Sequence, residues 1–510
     1  VRIGILDILA LPLRHPGDAF YHLLLTKQFA GITPQAIAVW CRRLGHQTFY
    51  ATYYGMGRDA RRLFPSDLDI VFIAAYTQAS PMAYALARLY RRSGSRTVIG
   101  GPHAKAFPAD CLRFFDFVVR DCDEQLIKDI LSGHFDPGTV LDSGKPLEDL
   151  PSVEERWPEI RASAFYFGVQ PLALSCVPML TSVGCPYQCD FCIDWDTPYR
   201  ALPPERLAAD LRFLAERSPG TAVFYQDPNF AIKFDQVFAQ LEALPRDKRP
   251  PYLCESSLTV LRGERPRRLK ETNCICVAPG IESWTEYSNK TGAGQKSGVE
   301  KVRQVAEQFR VLAEHVPYLQ ANFIFGLDTD AGEAPVELTK LFMDEAPHVW
   351  PVLNIPMPYG GTPLYDTLVA QGRVLRSMPF AFYFSPYLVM TLKHYDPVTY
   401  YESLIELFSH AASPSMLKRR LRSTRHLLAK AVHVARTAST RADLGRYRAI
   451  LRMLRTDAQF RAFHEGRSTA LPAYYRRLYR HRLGRYAELL GEVDLTPNLA
   501  QHRMLLRGAA

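Results

Sequence analysis

The chain has 510 residues and carries 62 Lys+Arg against 52 Asp+Glu, a formal net charge of +10. That length suits about three units with sizeable cores, and a composition of 47% hydrophobic and 22% charged residues excludes global disorder, since the apolar surface is enough to offset chain entropy. No uninterrupted apolar run reaches the ~20 residues of a spanning helix, and the first residues lack a basic stretch followed by an apolar one, so the expected location is cytoplasmic.

Residues 1–135 alternate strand and helix signals. Apolar runs at 2–8, 47–52, 69–75, 96–99 and 115–120 read as strands, with helices over 34–43 and 81–92 between them. Strands alternating with helices and bounded by Gly or Pro predict a doubly wound, Rossmann-like parallel sheet, whose ligands bind beyond the carboxyl ends of the strands. Residues 136–175 are rich in Pro, Glu and Ser and read as a linker. From 176 to 372 the alternation resumes, with strands at 177–183, 222–225, 252–256, 274–278, 320–325 and 351–355 and helices such as 204–217 and 299–311. Six such units predict a partial TIM-type barrel with its active site at the strand carboxyl ends. Residues 373–510 read as a helical extension interrupted near Ser413-Pro414, Gly466 and Pro472. Its last hundred residues hold 21 Lys+Arg and 6 Asp+Glu, a balance of +15, which leaves −5 for the preceding 410.

Seven of the ten cysteines are scattered, and three crowd into eight residues: Cys185, Cys189 and Cys192 in Thr181-Ser-Val-Gly-Cys185-Pro-Tyr-Gln-Cys189-Asp-Phe-Cys192. Three thiolates this close on a loop can ligate three irons of a [4Fe-4S] cluster and leave the fourth iron open to an amino-acid-like cofactor. Gly184 and Pro186 favour a tight loop over a helix. The rival reading is a structural zinc site, which wants four ligands; no histidine lies between His134 and His315, so the fourth would be distant or Cys176.

The C-x3-C-x2-C spacing with Phe191 before the last cysteine resembles the signature of the radical S-adenosylmethionine (SAM) superfamily. In order along the chain, Asp227 in Phe224-Tyr-Gln-Asp227, Gly280-Ile-Glu282-Ser283, Phe325-Gly-Leu327 and the 356–364 segment resemble the later barrel elements of that family. Upstream, the 68–71 run, Val98-Ile-Gly-Gly-Pro-His103 and the 116–120 run resemble the cobalamin-binding domain of the subgroup that holds anaerobic magnesium-protoporphyrin cyclase and hopanoid methylases. The resemblance implies reductive cleavage of SAM to a 5′-deoxyadenosyl radical that abstracts hydrogen from an unactivated carbon. It also implies an electron donor such as flavodoxin or ferredoxin and a small-molecule or lipid substrate. By position it makes Asp227 a candidate for the methionine amino group and Glu282 or Ser283 candidates for other polar groups of SAM.

Cobalamin stays open at this stage. The D-x-H-x-x-G hexapeptide of histidine-ligated cobalamin domains is absent, and His15 and His103 sit in the wrong contexts. The Gly100-Gly101 turn still allows close backbone approach to a nucleotide-like tail. With cobalamin, C-methylation leads; without it, rearrangement, cyclisation or coupling on the same scaffold.

The basic tail places Lys418, Arg419, Arg420, Arg422, Arg425, Arg476, Arg477, Arg480, Arg482 and Arg485 among Tyr474, Tyr475, Tyr479 and Tyr486. A solvated helical face, a membrane-surface face and a nucleic-acid grip all fit this pattern. An RNA-modifying radical SAM enzyme is disfavoured because the upstream cysteines are too dispersed for a second triplet. A metal-stabilised, non-catalytic interaction module is the remaining alternative.

Overall fold

The computed structural model describes residues 1–13, 30–55, 59–164, 176–285, 287, 289–294 and 296–499. The first sheet contains β1 (Arg2–Ile8), β2 (Gln47–Tyr53), β3 (Ile70–Ala75), β4 (Arg96–Gly100), β5 (Phe117–Val119) and β6 (Thr139–Leu141). All are parallel, in the order β2-β1-β3-β4-β5-β6. The order reverses at β1 and β3, which opens a crevice at their carboxyl ends. Period-two alternation fixes the faces: Val71 and Ile73 pack toward the helix Ser80–Arg92 in one core, while Ile70 and Phe72 join Trp40 and Ile127 in another.

The stretch 136–175, read as a linker, supplies β6 and a helix, Trp157–Ala164, within its described part. Three residues of apolar signal beside Pro137 and Gly138 are too few to outweigh turn residues in a sequence reading. Arg156, just ahead of that helix, is fully buried and donates to Gln35 Oε1 at 2.7 Å and to the Pro178 carbonyl at 3.4 Å, stapling the first sheet's helix to the second sheet.

The second sheet runs β7 (Cys176–Met179), β10 (Ala222–Tyr225), β11 (Tyr252–Cys254), β12 (Cys274–Val277), β14 (Tyr318–Ile324) and β15 (Val349–Asn354), all parallel. The short β13 (Gly280–Glu282) also pairs with β14. Helices fill the connections: in Pro204–Arg217, for example, Pro204 opens the first turn and Leu207, Leu211 and Leu214 form the buried stripe. The architecture is the predicted partial barrel. The run 177–183, however, is split: β7 ends at Met179, and β8 (Ser182–Val183) pairs antiparallel with β9 (Arg200–Ala201). That two-residue ladder closes the neck of the cysteine loop.

Beyond the barrel the described residues form five helices, Pro397–Ala411, Pro414–Ser423, Leu427–Thr456, Ala458–His464 and Ala473–Leu483. Asp396, Ser413 and Asp457 cap three of them through side-chain oxygens. The segment after 473 returns to the first sheet: Tyr486 Oη donates to Asp59 at 2.9 Å, Arg485 pairs with Asp59 at 3.0 Å, and Arg88 pairs with Asp494 at 2.7 Å. No described helix is long and apolar enough to cross a membrane.

Candidate active site

The cysteine loop leaves β8 at Gly184 and re-enters the fold at β9. Gly184 has φ +71°, and a Cβ there would lie 2.4 Å from the Pro198 carbonyl oxygen and 2.5 Å from that of Thr197, so glycine is required for the loop to cross itself. Cys185, Cys189 and Cys192 are all half-exposed, whereas the other seven cysteines are buried. The turn is held by Cys192 N–H donating to the Cys189 carbonyl at 3.0 Å and Trp195 Nε1 donating to the Gly361 carbonyl at 2.7 Å. Leu364 N–H reaches the Asp190 carbonyl at 3.0 Å, and Tyr287 Oη donates to the Asp190 carboxylate. The loop is therefore tied to both later strands' loops.

Among the described residues, no three His, Cys, Asp or Glu side chains are gathered around one metal-ion position. Three cysteines on one short loop are the donor set of a [4Fe-4S] cluster with one open iron, whereas a structural zinc site wants a fourth ligand. Cys176 lies in the core at the far end of β7, packed with Leu253 and Cys276, and is no fourth ligand. Burial pushes the Cys189 thiol up, an effect opposed by Lys290, and pushes the Cys192 thiol to about 11, with Asp194 adding to the rise. Lys290 stands 3.5 Å from Glu282 and over the Phe191 ring at 5.7 Å, and Phe191 stacks on Tyr287 at 6.1 Å. Although burial works against its charge, Glu282 and the two thiols hold the Lys290 ammonium firmly protonated. A cation beside the loop favours thiolate, the form that binds iron.

A cavity of about 640 Å³ opens at the carboxyl ends of the barrel strands, walled by Phe191, Cys192, Asn229, Glu255, Glu282 and Asn322 among others. Glu282 lines this space: it ends β13 with φ +65° and bends back over Gly280, where a Cβ would sit 2.3 Å from Glu282 Oε1. Its buried carboxyl is pushed up by desolvation and restrained by Lys290.

Asp227 and Ser283 are placed otherwise. Asp227 is 3% exposed and accepts from Thr181 N–H at 3.0 Å, Thr181 Oγ1 at 2.5 Å and Ser182 Oγ at 2.7 Å. It fastens the strand that feeds the cysteine loop. Burial raises its carboxyl to about 6, against those same donors. Ser283 turns away from the cavity and donates to Asp330 Oδ1 at 2.7 Å, while its carbonyl accepts from Lys301 at 2.7 Å.

Sequence reasoning missed Glu255 and Lys290. Glu255 follows β11, is surrounded by protein and yet is exposed to the cavity, and its carboxyl is pushed up by burial, eased by Lys290 and pushed further by Glu282. The Lys290 ammonium thus pairs with Glu282 at 3.5 Å and also eases the ionisation of Glu255. A lone Glu after a strand and a Lys in a loop carry no motif; only the folded strand order brings them together.

A second cavity, about 330 Å³, occupies the crevice of the first sheet. Its wall is mainly apolar, including Ile5, Ile32, Phe72, Val98 and Leu180, with Gly100 and Gly101 at its rim. Gly101 has φ +87°, and a Cβ there would press on Ala75 N at 3.3 Å, whereas a Cβ at Gly100 would make ordinary contact with the Val119 carbonyl oxygen at 3.8 Å. Asp7 closes one end: it accepts from Gly31 N–H at 2.6 Å, and burial raises its carboxyl to about 7. His103 does not face this cavity. It is fully buried, bonds Tyr84 Oη at 2.5 Å, packs edge-on against Phe380, and is pushed down to about 3 by burial. His15 lies outside the described residues.

The two cavities share Asp194 and Pro228 in their walls. Asp194 follows Cys192 by two residues, and Lys105 of the first sheet's crevice reaches it at 3.4 Å, together with Thr197 Oγ1 at 2.8 Å and Asp121 at 3.6 Å.

The radical SAM superfamily matches residues 179–340. Bacteriochlorophyllide d C-8(2)-methyltransferase of Chlorobaculum tepidum is 22% identical over 372 residues, covering 68% of this chain and 78% of that protein. Two solved structures share the fold. The radical SAM methyltransferase TsrM of Kitasatospora setae, with tryptophan and a SAM analogue bound, has a TM-score of 0.54 at 15% identity, covering 74% of this chain and 78% of that one. The cobalamin-dependent SAM radical enzyme OxsB, with aqua-cobalamin bound, has a TM-score of 0.56 at 12% identity, covering 99% and 83%.

Proposed function

We propose that this chain, a radical SAM enzyme with its [4Fe-4S] cluster on the 179–340 domain, is a cobalamin-dependent C-methyltransferase acting on an inert carbon of a small molecule, with an external protein as reductant. The observation that carries this reading is the junction of the two cavities at Asp194 and Pro228 beside Cys192, which would set a cofactor in the first sheet's crevice against SAM and substrate in the barrel. When bound, the cluster supplies the electron that cleaves SAM, and the corrinoid supplies a methyl-carrying cobalt.

The residues of the chain have distinct parts in this reading. Cys185, Cys189 and Cys192 hold the cluster, with Lys290 favouring their thiolates. Glu255 and Glu282 present negative charge to a cationic sulfonium amino acid, and Asn229 and Asn322 offer amide donors and acceptors at the same strand ends. Gly101 lets backbone approach the cofactor in the crevice, and Asp7, its carboxyl raised by burial, offers a proton at the crevice end. Among the described residues no histidine lines the crevice, and His103 is sealed away from it. The relationship to a named bacteriochlorophyllide methyltransferase supports methylation over rearrangement.

The test is anaerobic purification after growth with hydroxocobalamin. Corrinoid absorption near one per chain, 5′-deoxyadenosine or S-adenosylhomocysteine release on reduction, and loss of the corrinoid alone in Gly101→Val support the reading. An intact cluster with no corrinoid in the wild-type protein refutes it.

A further inference from the structure

From Leu407 to Ala442 the chain holds eight Lys and Arg residues and no Asp or Glu. Most of the molecule's other tail arginines are occupied: Arg482 donates to the Ala381 carbonyl and covers Phe384, Arg485 pairs with Asp59, and Arg476 and Arg480 pair with Glu492. Tyr475, Tyr479 and Tyr486 are buried, so they present no stacking platform for bases. Within the acid-free stretch Arg419 pairs with Asp344, Arg420 and Arg441 donate to the Ala411 and Ala412 carbonyls, and Arg436 reaches Gln320, but three other cations differ. Lys418, Arg422 and Arg425 are exposed and form no ion pair within 4 Å among the described residues.

The same stretch carries apolar surface. Leu427 is 82% exposed, Leu428 64% and Val434 47%, all in the first turns of the helix Leu427–Thr456. Leu427, Ala431 and Val434 follow helical spacing and are exposed together, while Ala429 and His433 face inward. Arg422, Arg425, His426 and Lys430 surround them. Leucines standing in water amid unpaired cations match a surface that lies in the interface of an anionic bilayer, where the leucines are buried and the cations meet anionic headgroups.

The position of the patch argues against a protein reductant as its occupant, although Glu314 and Glu345 also line the adjoining cleft. Ser423–His426 line one cleft with Val316 and Pro317, which precede β14, and Pro347 and His348, which precede β15. The patch therefore lies at the amino ends of the barrel strands, opposite the cavity beside Cys192. An acidic protein reductant must approach the cluster and would find nothing to reduce at this end. Nucleic acid would use the arginines but leave the leucines exposed.

We propose that the start of the helix Leu427–Thr456, with the preceding basic turn, docks this protein peripherally on anionic phospholipid, leaving the barrel mouth facing the aqueous side. The substrate would then be taken from solution and not drawn up from the bilayer beneath.

The test is vesicle co-sedimentation of the full chain, with phosphatidylcholine vesicles and with vesicles containing phosphatidylglycerol. Binding is expected only to the latter and should fall as salt rises. The pair Leu427→Gln and Leu428→Gln should weaken it at least tenfold, and Arg422→Gln with Arg425→Gln about tenfold or more, with cluster content and SAM cleavage unchanged in both. Failure to bind anionic vesicles overturns the proposal. So does binding insensitive to the leucine pair, or competition by excess RNA that persists in the leucine variant, which would mark a nucleic-acid surface.

Discussion

Replacing Gly184 by Ala puts the geometry of the cysteine loop to a quantitative test. At φ +71° an alanine costs about 1–2 kcal/mol in the left-handed region. In addition its Cβ would stand 2.4 Å from the Pro198 carbonyl oxygen and 2.5 Å from that of Thr197, against ordinary carbon–oxygen contacts of about 3.3–3.6 Å. The two arms of the loop must separate by about 1 Å, an overpacking cost of about 1–3 kcal/mol. Gly144 supplies the control: its φ is +65°, and nothing lies within 4 Å of a Cβ built there, so Gly144→Ala bears the conformational cost alone. The expected result is a thermal midpoint lower in Gly184→Ala than in Gly144→Ala, with iron and sulfide content after anaerobic reconstitution falling well below wild type only in the former. Equal midpoints together with a full cluster in Gly184→Ala would show that the loop does not need to cross at this point.

Two further outcomes follow from buried charge. His464 is 1% exposed, and burial depresses it to about 3. The unfolded chain takes up its proton near pH 6.5 while the folded one does not, so its contribution falls as pH drops from about 6.5 toward 3. Between pH 7 and 5 the wild type should lose about 2 kcal/mol more stability than His464→Phe, read by urea unfolding; parallel pH profiles would contradict the burial argument. In the barrel cavity, Glu255→Gln leaves Lys290 balanced by Glu282 alone, and SAM affinity measured by anaerobic equilibrium dialysis should weaken about tenfold, the worth of one charge-assisted hydrogen bond. Unchanged affinity would assign the negative charge of the cavity to the substrate side.

The strand–helix alternation of both sheets was legible because central parallel strands are continuous apolar runs, as at 70–75 and 222–225, and because prolines mark helix starts, as at Pro204. β6 was not, since three residues beside a Pro-Gly turn carry too little pattern. The cysteine triplet stood out by its spacing, and the resemblance of its surrounding motif to a known family supplied the expected chemistry. Asp227 and Ser283 were picked by order along the chain, but which way a carboxylate or hydroxyl turns at a strand end is decided by neighbours such as Thr181, Ser182 and Asp330. The pairing of Glu282 with Lys290, and the presence of Glu255 beside them, depend on the lateral order of β11, β12 and β13, which periodicity does not encode. The basic tail illustrates the same limit: the charge count was right, yet its arginines divide between buried staples such as Arg420, inter-segment pairs such as Arg485, and a short free stretch.

Lys105 joins what a domain map would cut apart. Its nearly buried ammonium is held from one side by Asp121 of the first sheet and from the other by Asp194 and Thr197 of the cysteine loop. A barrel expressed without the first sheet would lose the donor that satisfies both Thr197 and Asp194, at the base of the loop that must receive iron. Iron and sulfide uptake by such a truncated barrel is therefore expected to fall below that of the full chain, and a graft of the barrel onto a different partner domain would need a cation in the place of Lys105.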